Sequence, residues 1–211
     1  MGQLVLDMFV TLDGVFQAPG EPGEDREGGF DHGGWQAPYL DEESGALIGE
    51  HLAGMDALLL GRKTYEIFAA YWPQAPDDLP IAQVLNAAPK YVASRTLGSV
   101  GWANSTLLDG DIAEAVGKVK GDHEEVHVIG SGDLTQTLLR HGLVDRINLW
   151  LYPIVLGTGK RLFPEGANPA AWRLAGSSTF PSGAVLLVYD LAGKPAYGNL
   201  AWDDEGNPRT L

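Results

Sequence analysis

Apolar residues along the chain fall into two alternating rhythms. A period near two marks strands at Leu4–Leu12, Ala57–Leu60, Lys90–Ala93, Val126–Ile129 and Arg146–Leu156. A helical period marks the stretches between them. Leu47, Ile48, Leu52 and Met55 make one buried face of a helix over 41–55. Tyr65, Phe68, Ala69 and Trp72 do the same in a second helix. Ile112, Ala115, Val116 and Val119 do so over 111–120, and a fourth short helix is predicted over 133–141. Pro73, Pro76, Pro80 and Pro89 read as a connection. The last apolar runs, Trp172–Phe180 and Ala184–Leu191, flank Pro181-Ser182-Gly183 and predict a hairpin.

Strands alternating with helices require crossover connections, and therefore a mostly parallel sheet flanked by helices. The terminal hairpin adds an antiparallel pair, so the expected class is α/β with a mixed sheet. One domain is expected over residues 1–192, with a polar surface tail over 193–211. The segment 17–34 is longer than ordinary connections, which makes it either disordered or a functional lid. Its six glycines suit a hinge.

Composition narrows the function classes. The 211 residues are 45% apolar, enough for one buried core, and no run reaches the length of a bilayer span. No signal-peptide pattern opens the chain, so a cytoplasmic location is the default expectation. The absence of Cys removes thiolate chemistry and Cys-based metal sites. The five histidines lack paired ligand spacing, and no metal is expected. His127, within a strand, reads as structural. A net charge of −14 argues against nucleic acid or an anionic membrane as partner. Against that field an anionic ligand needs local cations, which makes the few arginines informative.

Chemistry is expected where strands end and helices begin. At Leu60-Gly61-Arg62-Lys63-Thr64-Tyr65, a tight turn leads into a helix N-terminus that suits a phosphate. Thr64 serves equally as a helix cap and Arg62 as a solvated cation. At Ala93-Ser94-Arg95, a hydroxyl and a guanidinium suit a ribose 2′-phosphate, although such a loop is ordinary. At Gly130-Ser131-Gly132, two glycines permit close approach of a pyrophosphate, but the third glycine of the dinucleotide fingerprint is absent. Gly157-Thr158-Gly159-Lys160-Arg161 is not a phosphate loop. Ile154 occupies the place of its first glycine, and Arg161 that of its Ser or Thr.

Taken together, and with Val10-Thr11-Leu12-Asp13-Gly14, Asp145-Arg146-Ile147-Asn148-Leu149 and the run from Pro153 to Phe163, these pieces resemble the dihydrofolate-reductase-like superfamily. They are most similar to the reductase domain of riboflavin-biosynthesis enzymes, over roughly residues 3–191. The resemblance implies an eight-to-nine-stranded mixed sheet, NADPH across the strand ends, and a branch that is often dimeric, so that a homodimer is an open expectation. It places Gly61, Arg62 and Thr64 on the cofactor phosphates, and Ser94 and Arg95 beside the 2′-phosphate. Gly130, Ser131, Gly132 and Leu134 would line the pyrophosphate and nicotinamide ribose. No deaminase zinc motif accompanies the domain.

For the substrate, Asp13 and Gly14 follow the first strand, where the family's mobile substrate loop begins, and Trp35 is the tryptophan expected near a ligand. Asp13 reads equally as an Asx turn before Gly14. Asp41 lies on the same helical side as Ile48 and is the inward carboxylate, a candidate proton donor or simply an N-cap. Dihydrofolate reductases carry an acid after a similar Trp-x-x-Pro segment, and here it comes one residue late. The expected function is hydride transfer from NADPH to a small heterocycle, riboflavin-precursor-like or pterin-like. The alternatives are a non-catalytic dinucleotide-binding or sensing protein, and a true dihydrofolate reductase.

Overall fold

Along β1 (Gln3–Thr11), Leu4, Leu6, Met8 and Val10 point to one face of a sheet, while Asp7 and Phe9 point to the other. The computed structural model describes residues 2–202 and 208–210. After β1 come α1 (Glu42–Ala53), β2 (Ala57–Gly61), α2 (Arg62–Tyr71), α3 (Pro80–Ala87), β3 (Lys90–Ala93), β4 (Ser105–Leu108) and α4 (Ile112–Asp122). Then follow β5 (Glu125–Ile129), α5 (Gly132–Arg140), β6 (Arg146–Tyr152), β7 (Ala171–Thr179) and β8 (Val185–Gly193). A separate antiparallel ribbon pairs β9 (Leu200–Trp202) with β10 (Pro208–Thr210).

The main sheet has eight strands in the order β4-β3-β2-β5-β1-β6-β8-β7. Strands β4 to β6 run parallel, and β8 pairs antiparallel with both β6 and β7. The mixed sheet and terminal hairpin follow the sequence pattern. β8 extends to Gly193, and the β9–β10 ribbon lies beyond it, within the stretch expected to be a polar tail, of which residues 203–207 and 211 fall outside the described residues.

Three boundaries depart from expectation for local reasons. β6 stops at Tyr152 because Pro153 has no N–H to continue the ladder. Asp41 precedes α1 as its N-cap. The proline-rich connection contains α3, whose Pro80 occupies the first turn, where a missing N–H costs nothing. Lys90 closes the other end of α3. Its ammonium is buried, donates to the carbonyls of Leu85, Asn86 and Ala88 at 2.8, 3.1 and 2.7 Å, and lies 4.3 Å from the centre of the Trp102 ring. Burial pushes its pKa down to about 8. The edge strand β4, four residues long, also fell within a stretch without clear pattern.

The two faces of the sheet carry different helices. Leu4, Leu6, Leu59, Val126 and Val128 pack with Val116 and Val119 of α4 and with Leu134 and Leu138 of α5. Leu58, Leu60 and Val92 pack on the opposite face with Leu52 of α1, Tyr65 of α2 and Leu85 of α3. Each leucine fully buried in this way contributes roughly 2 kcal/mol. A third cluster, with Val15, Phe30, Trp35, Trp150 and Tyr152, closes the end of the sheet beneath segment 14–35.

One polar group interrupts the α1 face. Asp7 of β1 bonds His127 of β5 (Oδ2–Nδ1, 2.5 Å) and Asn148 of β6 (Nδ2–Oδ1, 2.9 Å). The other nitrogen of His127 meets Glu125 at 2.7 Å. Burial opposes a charge on this imidazole, but the two carboxylates prevail and raise its pKa to about 9. A raised histidine stabilises the fold fully below its unfolded value near 6.5, and that contribution disappears as pH rises through about 9. Urea unfolding at pH 6.5 and 9.5 should therefore show a loss of roughly 3 kcal/mol in the native protein. In His127→Gln most of that pH dependence should be absent, and equal slopes in the two proteins would contradict the charged pair.

Candidate functional site

Neighbouring parallel strands β2 and β5 send their following helices to opposite faces, α2 to one and α5 to the other. A crevice must open between the two strand ends, and it is where ligands settle in open α/β sheets. Here two side-chain bonds fix its walls. Ser131 Oγ accepts from the Gly61 amide at 3.0 Å, and Thr64 Oγ1 accepts from the Ser131 amide at 3.1 Å. Ser131 adopts a left-handed conformation (φ 53°), directly after Gly130 at φ 59°. Two consecutive left-handed residues turn the chain sharply from strand to helix.

The helix starts on either side of the crevice differ from those of α1 and α4. Both α1 and α4 have aspartate caps, Asp41 and Asp111, that accept from their backbone N–H groups. At α2 and α5 the cap residues, Gly61 and Ser131, give no side-chain cap. Their first-turn N–H groups stay available to an acceptor from outside.

The cleft that begins here measures about 1770 Å³. A pocket for one drug-sized ligand holds roughly 300–1,000 Å³, so this one has room for a dinucleotide and a second molecule. Gly61, Arg62, Thr64, Ser94, Arg95, Gly130, Ser131, Gly132 and Leu134 all line it. Their roles differ in detail. Ser94 Oγ accepts from the amides of Thr96 and Leu97, which shapes the loop after β3. Arg62 makes an exposed pair with Glu66 at 2.9 Å. Arg95 is exposed and has no hydrogen-bond or ion-pair partner among the described residues. The missing side chain of Gly132 makes room for the ring of Phe16, which packs directly against it.

The residues expected at the substrate are elsewhere. None of Asp13, Gly14, Trp35 and Asp41 lines the cleft. Asp13 accepts from Thr11 Oγ1 at 2.6 Å and from the amides of Leu156 and Gly157 at 3.2 and 2.9 Å. These donors, led by the Thr11 hydroxyl, hold its carboxyl below the ordinary value. Gly14, at φ 77°, makes the turn, and its carbonyl accepts from Leu162 at 2.9 Å. Trp35 is buried, donates from Nε1 to the Gln17 carbonyl at 2.8 Å and packs edge-on against Tyr152.

The proton-donor reading of Asp41 gives way to a structural one. Its Oδ1 accepts from the Ser44 amide at 2.8 Å, and Ser44 Oγ accepts in return from the Asp41 amide at 3.1 Å. Its Oδ2 accepts from the Ser182 amide at 2.9 Å, tying α1 to the β7–β8 turn. These donors, led by the Ser44 amide, keep the carboxyl ionised far below the usual carboxylate range. The acid is spent on a capping box and a hairpin.

Segment 17–34 is ordered and folded over the cleft. Gln17 Nε2 donates to the carbonyls of Asp25 and Glu27, and its Oε1 accepts from the Lys160 amide. Lys160 Nζ lies 2.5 Å from both Asp25 and Glu27, and Lys63 pairs with Glu27. The two lysines draw the Glu27 carboxyl down to about 2. Residues overlooked by the sequence reading line the floor: Asp7, Phe9, Ile48, His51 and Trp150. The available signal was Asp7 itself, a charge in an otherwise apolar strand.

The eight-stranded order, the crevice between β2 and β5 and the terminal antiparallel pair define a dihydrofolate-reductase-like α/β protein. The chain belongs to the family of the RibD C-terminal domain, whose model matches residues 3–186. Among similar proteins, YyaP of Bacillus subtilis (strain 168), itself uncharacterized, is 29% identical over 191 residues, covering 89% of this chain and 94% of YyaP. YwjB of the same organism, also uncharacterized, is 24% identical over 189 residues, covering 88% of this chain and 95% of YwjB. A putative riboflavin biosynthesis protein from Shewanella sp. PV-4 superposes with a TM-score of 0.64 at 19% identity, covering 90% of this chain and 98% of that one. A pyrimidine reductase-like protein from Corynebacterium diphtheriae superposes with 0.61 at 13% identity, covering 90% and 92%. Among the described residues no helix is long and apolar enough to cross a membrane.

Replacing the cap tests its structural role. Asp41→Ala should lower the thermal midpoint by a few degrees, whereas Asp41→Asn, which still accepts from Ser44, should retain most of it. The check is a melting curve followed by circular dichroism. An Ala variant as stable as the native protein would remove the capping role.

Proposed function

We propose that this protein is an NADPH-dependent reductase that transfers hydride to a small heterocycle. The observation that carries the reading is the crevice between β2 and β5, with two uncapped helix N-termini facing one cleft. A pyrophosphate placed there would meet the first-turn amides of α2 and α5. Arg95, without a carboxylate partner among the described residues, stands beyond β3, where the 2′-phosphate of NADPH would extend. Membership of the RibD C-terminal domain family supports oxidoreductase chemistry. When bound, the cofactor would supply the hydride. This chain's residues would hold its phosphates, exclude water beneath segment 17–34 and present the acceptor over the floor of Phe9 and Trp150.

One observation favours a second reading. With Asp41 occupied as a cap, the expected proton donor is gone from the cleft, which suits a protein that binds the dinucleotide without reducing anything. The same observation weighs against a true dihydrofolate reductase. Turnover of NADPH with any acceptor excludes the non-catalytic reading.

Fluorescence titration with NADPH and NADH separates these outcomes. The native protein should prefer NADPH; Arg95→Ala should weaken NADPH binding about tenfold or more with little change for NADH, and Arg62→Ala should weaken both. Failure to bind either nucleotide would refute the proposal.

A further inference from the structure

We propose that Glu27 stands in for the phosphate of a ligand. The ammonium groups of Lys63 and Lys160 form an anion site that segment 17–34 fills with its own carboxylate, and a phosphate that takes the site releases the segment from one wall of the cleft. The inference rests on reading this cleft as one that takes phosphate-bearing ligands, and it adds the step that admits them.

One oxygen joins two elements of the fold. Glu27 Oε2 accepts from Lys63, in the first turn of α2, and at 2.5 Å from Lys160, in the loop between β6 and β7. Two ammonium groups that converge on a single oxygen repel each other, so the arrangement needs an anion between them. Both lysines line the cleft. The cap residue of α2, Gly61, supplies no side-chain acceptor, and the helix dipole therefore also favours an anion at this end. The neighbouring cations are engaged elsewhere, Arg62 with Glu66 and Arg161 with Asp13.

The carboxylate is built to be exchanged. Glu27 opens a short 3-10 turn, Glu27–Gly29, and its side chain is 55% exposed. Gly28 and Gly29 follow at φ 70° and 76°, so the turn is made of residues with little to anchor it. An exposed pair of this kind contributes little to stability. A phosphate group brings nearly two negative charges and three acceptor oxygens, enough to satisfy both ammonium groups at once. The rest of the tip is tied differently. Lys160 also holds Asp25 at 2.5 Å, Gln17 Nε2 donates to the carbonyls of Asp25 and Glu27, and Glu24 accepts from the amides of Gly20 and Glu21. Among the described residues, Lys63 to Glu27 is the only hydrogen bond or ion pair that joins residues 20–29 to α2. When a phosphate takes Lys63, the tip remains attached on the Lys160 side alone and the cleft opens between them.

The test is limited trypsin cleavage of the full chain after Arg26, an exposed residue of the tip. Inorganic phosphate is compared with sodium chloride at equal ionic strength, so that screening is the same in both. Phosphate should release the fragment 1–26 from the native protein at least about fivefold faster, because cleavage follows the population of the opened segment. Lys63→Met, at a partly exposed position, should cleave fast in chloride and gain less than about twofold from phosphate. Glu27→Gln is read by calorimetric titration with phosphate, which it should bind at least about threefold tighter than the native protein, since its internal competitor is gone. Phosphate that leaves native cleavage unchanged or slows it would overturn the proposal, and so would a glutamine variant that binds phosphate no tighter. Repeating the cleavage with NADP⁺ identifies the source of the phosphate. Acceleration by NADP⁺ as well assigns it to the dinucleotide, acceleration by inorganic phosphate alone assigns it to the acceptor, and both support the exchange. Failure of the cofactor reading shows separately, as absence of NADPH binding while phosphate still speeds cleavage.

Discussion

The structure depends on a single topological constraint, the divergence of the chain at the ends of β2 and β5. Each strand is buried at four of its five positions and must be followed by a helix that covers one face of the sheet. Because α2 and α5 go to opposite faces, the two strand-to-helix turns cannot pack against each other closely along their whole length. Gly61, Ser131 and Thr64 bridge the divergence with two hydrogen bonds, which leaves the helix starts exposed on either side. The bonds therefore close the fold and create the cleft at once. Thr64 and Ser131 were read as ligand contacts, but in the structure their hydroxyls serve first to hold two loops in register.

The residues at the cleft's strand-to-helix turns were legible in the sequence because those junctions follow from periodicity. Gly61-Arg62, Ser94-Arg95 and Gly130-Ser131-Gly132 each close an apolar run, so any parallel sheet brings them to one edge. The buried polar cluster of the sheet was not legible in the same way. Asp7, His127 and Asn148 are far apart in sequence and meet only because β1 lies between β5 and β6. No local pattern encodes that strand order. Asp13 was singled out by its place after the first strand, Asp41 by its helical side and the Trp-x-x-Pro segment before it, and Trp35 as the tryptophan nearest a ligand, yet each is engaged by backbone groups that the folded loops bring near.

The same distinction separates the elements that were found from those that were missed. α1, α4 and α5 carry one apolar face against a broad sheet, and their period is plain. α3 is eight residues long and lies between prolines, and part of its end is closed by Lys90, a residue outside the helix. Propensity reads proline as an interruption, although in the first turn it is compatible with a helix. A buried lysine that satisfies three carbonyls is a tertiary device, invisible until β3 is placed beside α3.

Charge then connects the lid to the cleft. A protein with net charge −14 could keep all of its few cleft cations clear of carboxylates, as it keeps Arg95 among the described residues. Instead segment 17–34 carries its own acids onto Lys63 and Lys160. These pairs are partly exposed, so their contribution to stability is small. Their consequence lies in what they leave behind, a cleft wall at Asp25 and Lys160 on which the lysine charge is already neutralised.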